Sequence, residues 1–213
     1  MKKTNYSYIG ISFIILIFGI YAIPKIVNRM TKSDLVTIGK APSFELTDQY
    51  AKPFSSETLQ GKVYVLEFFF TNCGSICPKM NKNMLQIQDK YGLNRDFAIV
   101  SITIDPERDT IAQLLKHSKE LGVTMKNWHF LRGDETYVYK LANQGFNLFA
   151  GKNPKLEDGF EHSGLFALVD KKGNIRSRTV KTGEYENPLV YYDGLKQEGV
   201  QMLKDDIKKL LDE

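Results

Sequence analysis

The chain has 213 residues, 42% hydrophobic and 25% charged, and its 13 Phe and 11 Tyr are ample for a packed core, which excludes a disordered chain. Two cysteines are too few for a disulfide scaffold or a four-cysteine zinc module. The first 40 residues carry six basic side chains against Asp34, leaving the other 173 at a net −1 of the overall +4, so the folded part is near neutral and its charge does not point to nucleic acid.

Between Lys3 and Lys25 lie 21 residues without a charge, and Tyr8 to Ile23 is almost wholly apolar. At ~1.5 Å per residue such a helix is about 30 Å long, the thickness of a bilayer's hydrocarbon core. The sequence predicts a single N-terminal transmembrane helix over residues 1–24, a polar juxtamembrane linker over 25–40 and one domain over 41–213. Tyr21-Ala22-Ile23-Pro24 is a poor cleavage site, which favours an uncleaved anchor over a signal peptide. Lys2 and Lys3 on one side face Lys25, Arg29 and Lys32 on the other, so charge bias does not orient the span.

From Ala41 the chain runs without repeats or low-complexity tracts. Phe44–Leu46 and Lys52–Phe54 read as a small hairpin. Val63–Phe70 is apolar except for Glu67 and rich in β-branched and aromatic side chains, the pattern of a central strand. Pro78 opens a helix to about Tyr91, because proline suits the first helical turn. Phe97–Ile104 is a second buried strand, and Thr110–Leu121 an amphipathic helix with Asp109 as its expected N-cap. Trp128–Leu131 reads as a short strand and Asp134–Asn143 as a helix. Leu165–Val169 and Ile175–Thr179 are strands joined by a turn over Asp170–Asn174, and a last helix covers Tyr192–Leu211. Strands alternating with helices and closing on a hairpin and a helix predict an α/β fold, a thioredoxin-like mixed sheet flanked by helices.

Both cysteines sit in Thr71-Asn72-Cys73-Gly74-Ser75-Ile76-Cys77-Pro78, just past the C-terminal end of a central strand and at the mouth of a helix, where open α/β sheets place their sites. Exposed N–H groups and the helix dipole favour a thiolate there, so Cys77 is expected to be the acidic thiol. Three intervening residues let the two sulfurs close a disulfide or hold one soft metal ion, and spacing leaves both open. A plain stabilising disulfide is disfavoured, since so short a loop removes little unfolded-chain entropy. Of three histidines, His117 reads as a solvated residue of the Thr110–Leu121 helix and His129 as a packed core residue. His162 stands in the loop before the Leu165 strand, a loop that packs near the cysteines in this fold class, and is a candidate third ligand. Two thiolates and an imidazole suit copper.

Three blocks resemble the Sco/SenC family of copper chaperones. They are Phe70-Thr71-Asn72-Cys73-Gly74-Ser75-Ile76-Cys77-Pro78, Ser101-Ile102-Thr103-Ile104-Asp105-Pro106-Glu107-Arg108-Asp109-Thr110 and Glu161-His162-Ser163. The resemblance spans about residues 41–211, and the Asp-Pro-Glu-Arg-Asp-Thr block is absent from a generic thioredoxin. It implies Cys73, Cys77 and His162 as copper ligands, and copper delivery or thiol reduction during assembly of the binuclear copper centre of cytochrome c oxidase. It further implies a copper-receiving oxidase subunit and a thiol reductant as partners, and a soluble domain on the extracytoplasmic (periplasmic) side of the cell membrane. Gly74 and Ser75 stand where the family often has Pro and Asp, and Glu161 where Asp is commoner. Glu161-His162-Ser163 also occupies the place where thioredoxin-type oxidoreductases carry a proline, which favours copper over general disulfide exchange. A thiol–disulfide oxidoreductase is the alternative, and a redox or copper sensor a second one.

Glu67, Asp105 and Glu161 are candidates to stand behind the ligands. Glu67 is either a buried carboxylate that tunes the thiols or a sheet-edge residue paired with a lysine. Asp105 lies at the cysteine edge of its strand, and with Pro106 it reads chiefly as a turn and helix cap. Phe146, Leu148 and Phe149 form an apolar patch that covers the core or meets a partner.

Overall fold

The computed structural model describes the backbone of residues 7–31, 33–156, 159–182 and 185–213, and within these the side chains of 10–23, 33–156, 159–181 and 187–213. Helix α1 (Ser7–Thr31) leads to strands β1 (Val36–Lys40), β2 (Glu45–Asp48), β3 (Pro53–Ser55) and β4 (Val63–Phe69). Helix α2 (Cys77–Tyr91), β5 (Phe97–Thr103), α3 (Ile111–Leu121), β6 (Trp128–Arg132) and α4 (Glu135–Lys140) follow in alternation. A helical turn over Leu141–Phe146 leads to the short strands β7 (Ala150–Lys152) and β8 (Phe160–His162). Strands β9 (Leu165–Val169), β10 (Asn174–Ser177), β11 (Thr179–Thr182), β12 (Tyr185–Pro188) and β13 (Tyr192–Asp193) precede helix α5 (Gln197–Asp212).

The apolar runs read as central strands are central. The sheet has the order β1-β10-β9-β4-β5-β6-β2-β3, with β13 added beside β9. β4 pairs parallel with β5, and β5 with β6, whereas β9 joins β4 antiparallel, which makes the sheet mixed. Every residue of β4 and β5 is buried, because neighbouring strands cover both edges and packed elements cover both faces. Helix α5 packs over β4 and beside α2, and α3 packs on β6.

Several boundaries differ from the sequence reading. Val36–Lys40, inside the stretch read as linker, pairs with β10 as an edge strand. Asp134 caps α4, but the helix ends at Lys140 and continues as a wider turn. The last helix starts at Gln197, not Tyr192, because Tyr192 and Asp193 pair with Phe166 and Leu165 of β9. The three-residue strands of the β7–β8 hairpin are too short to show a period of two.

Among the described residues no helix is long and apolar enough to cross a membrane. The span expected over 1–24 includes residues 1–6 and the side chains of 7–9 and 24, which lie outside the described residues. On the described part of α1, Ile11, Phe13, Ile14, Leu16 and Phe18 are exposed.

Candidate metal centre

The parallel register Val63↔Phe97 through Phe69↔Thr103 ends β4 and β5 at one edge of the sheet, and α2 starts there. The loop between β4 and α2 is held by Asp109. Its carboxylate accepts the Thr71 N–H at 3.0 Å and the Thr71 and Thr103 hydroxyls. Asp109 is thus a buried anchor for the cysteine loop and not the N-cap of α3. That cap is Thr110, whose hydroxyl accepts the Gln113 N–H at 3.2 Å.

Both thiols are free and buried. Pro78 sits in the first turn of α2, and Ile76 at the N-cap position supplies no side-chain acceptor. The Cys73 sulfur fills that role, accepting the Cys77 N–H at 3.3 Å, with the Ser75 hydroxyl 3.6 Å away. Cys73 is therefore the acidic thiol, held down to about 3, against its burial, first by the hydrogen bond it accepts from the Cys77 thiol, then by His162, the Cys77 N–H and Ser75. Cys77, expected to be the acidic one, moves the other way: its proton serves Cys73, and burial opposes its ionisation. The helix terminus does favour a thiolate, but the N–H it presents points at Cys73.

His162 is the last residue of β8 rather than part of a loop. Its Nε2 lies 3.0 Å from Cys77 Sγ, and its Nδ1 is 3.1 Å from the Ser163 carbonyl. The Ser163 carbonyl accepts from Nδ1–H, and that bond turns Nε2 toward the sulfurs, the ring orientation a metal ligand needs. The Cys73, Cys77 and His162 donor atoms all lie within 4.8 Å of one another. The set is two soft sulfurs and one imidazole, buried and oriented by the Ser163 carbonyl, and it fits copper chemically. A cleft lined by Ser75, Ile76, Leu156, Phe160 and Glu161 opens beside His162.

Of the residues proposed to stand behind the ligands, Glu67 is the buried carboxylate, not an edge residue paired with lysine. Ser101 donates to its Oε1 at 2.7 Å, and Trp128 Nε1 donates to Ser101 at 3.0 Å, while Oε2 has no hydrogen-bond partner among the described residues. Burial pushes this carboxyl up to about 7. Asp105 is buried and accepts from the Arg108 backbone and guanidinium, which fits its reading as a turn residue. Glu161 is exposed and accepts from Asn153 Nδ2 at 2.8 Å within the hairpin. His117, read as solvated, stacks on Phe69 with ring centroids 5.6 Å apart, and desolvation lowers its pKa. His129 packs on Phe54 at 4.5 Å. Phe146 and Leu148 are core, and Phe149 is exposed at the hairpin.

Comparison with known proteins agrees with this arrangement. The SCO1/SenC family model matches residues 36–190. This chain belongs to the SCO1/SenC family. The SCO1 protein homolog of Bacillus subtilis is 35% identical over 134 residues, which cover 62% of this SCO1/SenC chain and 69% of the relative. The solved structure of BsSco, described as having a disulfide switch and as a member of the Sco family of cytochrome c oxidase assembly proteins, superposes with a TM-score of 0.67. It is 28% identical, over 82% of this chain and 95% of that one. Arabidopsis thaliana ScoI, solved with copper bound, gives a TM-score of 0.61 at 26% identity, over 81% of this chain and 99% of that one. The thioredoxin-like mixed α/β fold expected from the sequence is the fold of these SCO1/SenC structures.

Proposed function

We propose that this SCO1/SenC protein binds copper through Cys73, Cys77 and His162 and delivers it to the copper-receiving subunit of cytochrome c oxidase. The convergence of two cysteine sulfurs and an imidazole oriented by the Ser163 carbonyl, within 4.8 Å, carries this reading. Copper is cargo here: Cu(I) is satisfied by the two sulfurs, and Cu(II) calls on the nitrogen as well. Copper binding needs both thiols reduced, whereas an exported dithiol drifts toward a disulfide, so a thiol reductant is a required partner. The domain, over about residues 36–213, is carried on an N-terminal membrane helix and faces the extracytoplasmic side. The uncharged stretch between Lys3 and Lys25 and the exposed apolar side chains of α1 support this anchoring.

The test is copper binding to the reduced full chain in detergent micelles, by competition with a Cu(I) chelator and by Cu(II) absorption. One copper per chain, lost with Cys73→Ser and weakened in its Cu(II) form with His162→Ala, is the expected result. A His162→Ala protein that held Cu(II) as tightly as the wild type would overturn the ligand set. A second reading, thiol reduction of the oxidase subunit, is favoured by the acidic Cys73 beside the protonated Cys77, the pairing a disulfide reductant uses. Catalytic reduction of a partner disulfide by His162→Ala protein that binds no Cu(II) would favour it over delivery.

A further inference from the structure

The two kinds of ligand stand on different mounts. Cys73 and Cys77 belong to the first turn of α2 and to a loop fixed by Asp109, next to the most buried strands of the sheet. His162 ends the two-stranded β7–β8 sheet, which pairs with no other strand among the described residues. Side chains dock this hairpin. Asn143 bonds both backbone groups of Ala150, at 2.8 and 3.2 Å, and Lys152 pairs with Glu135 at 2.8 Å, so β7 is held from the α4 side. On β8, Phe160 is gripped from the Asp-Pro-Glu-Arg-Asp-Thr block. The Arg108 guanidinium lies 4.9 Å from the Phe160 ring centroid, and it is set there by its ion pair with buried Asp105. The Phe160 ring packs on Phe70 at 5.4 Å, and Phe70 meets the His162 ring edge-on at 5.9 Å.

We propose that Arg108 is a positioning residue for His162. It presses Phe160 onto Phe70 and so fixes the end of β8 that brings Nε2 to the cysteines. The same six-residue block thus controls both halves of the centre, the cysteine loop through Asp109 and the histidine through Arg108. The inference rests on the copper reading above, and it makes the two oxidation states respond differently. Loosening the hairpin costs the nitrogen ligand and leaves the sulfurs in place, so Cu(II) binding suffers while Cu(I) binding does not.

The experiment compares the reduced full chain in micelles as wild type, Arg108→Ala, Phe160→Leu, the double variant and His162→Ala. It measures Cu(I) competition, Cu(II) competition, the sulfur-to-Cu(II) charge-transfer band and thermal unfolding. Arg108→Ala and Phe160→Leu are each expected to weaken Cu(II) binding roughly tenfold and to shift the band, with Cu(I) affinity within about twofold of wild type. The double variant is expected to lose no more than the worse single one. Wild-type Cu(II) affinity and spectrum in Arg108→Ala would overturn the proposal, as would parallel loss of both oxidation states with unfolding temperature. If Arg108→Ala does not fold, Phe160→Leu decides by the same criteria. A wild type whose copper binding is indifferent to His162→Ala instead overturns the ligand assignment, and with it this inference.

Discussion

Thr71 gives both its backbone N–H and its hydroxyl to the carboxylate of Asp109, 38 residues further on, while the Thr103 hydroxyl bonds the same group. Three donors on one buried acceptor mean that losing the acceptor strands all three. Asp109→Ala is expected to cost about 3 kcal/mol in urea unfolding, and Asp109→Asn rather less, since one oxygen remains. Both are expected to weaken Cu(I) binding, because they release the loop that carries Cys73. An Asp109→Ala protein of wild-type stability would show that the loop is held by something else.

The acidity of Cys73 fixes the pH dependence of its chemistry. With its thiol held at about 3, it is a thiolate throughout the neutral range, while Cys77 keeps its proton. Iodoacetamide followed by peptide mapping is expected to modify Cys73 first, at a rate nearly flat between about pH 5 and about pH 8. An ordinary thiol would accelerate about tenfold per pH unit over that range. Ser75→Ala removes one donor to the sulfur and is expected to move the lower edge of the plateau upward.

Glu67 makes stability fall as pH rises. In the unfolded chain its carboxyl ionises near 4.5, and in the fold only near 7. Its contribution is full below the lower value and is lost as pH climbs through the upper one, by about 3 kcal/mol at completion. Glu67→Gln, which keeps the shape and the bond from Ser101, is expected to flatten that slope. Denaturant titrations of both proteins at about pH 5 and about pH 8 measure it. Equal slopes in the two would mean that the buried carboxyl is already charged at low pH.

Gly199 lies in the first turn of α5, where a Cβ would stand 2.3 Å from the Asp193 carbonyl oxygen and 3.0 Å from its carbon. Backbone cannot yield there without shifting β13 off β9. Gly199→Ala is expected to lose about 2 kcal/mol or more in spite of alanine's better helix propensity, read by urea unfolding.

The central strands and the chemistry of the site were legible because they depend on composition over short windows. Val63–Phe69 could only be a doubly covered strand, and the cysteine loop had to follow it. What stayed hidden depends on pairs distant in sequence. Asp109 looked like a helix cap because Thr110 stands beside it. Only the fold reveals that Thr71 and Thr103 claim its oxygens. The Cys73–Cys77 assignment was inverted for a related reason, since the helix dipole is a property of the terminus and the direction of one N–H decides which sulfur receives it. Tyr192 and Asp193 read as helix because they run into a helical pattern, while their pairing with β9 depends on residues some 27 positions earlier. His162 was placed near the cysteines by fold class, but its mount, a hairpin of two three-residue strands, left no periodic trace.

Trp128 is the chain's single tryptophan, and one hydroxyl, that of Ser101, separates its indole N–H from the Glu67 carboxyl. Indole emission responds to the polarity and charge around that N–H. The protein therefore carries an optical gauge in its interior. Its colour is expected to follow the charge on Glu67, so ionisation of that buried carboxyl can be read from within the core without attaching a dye.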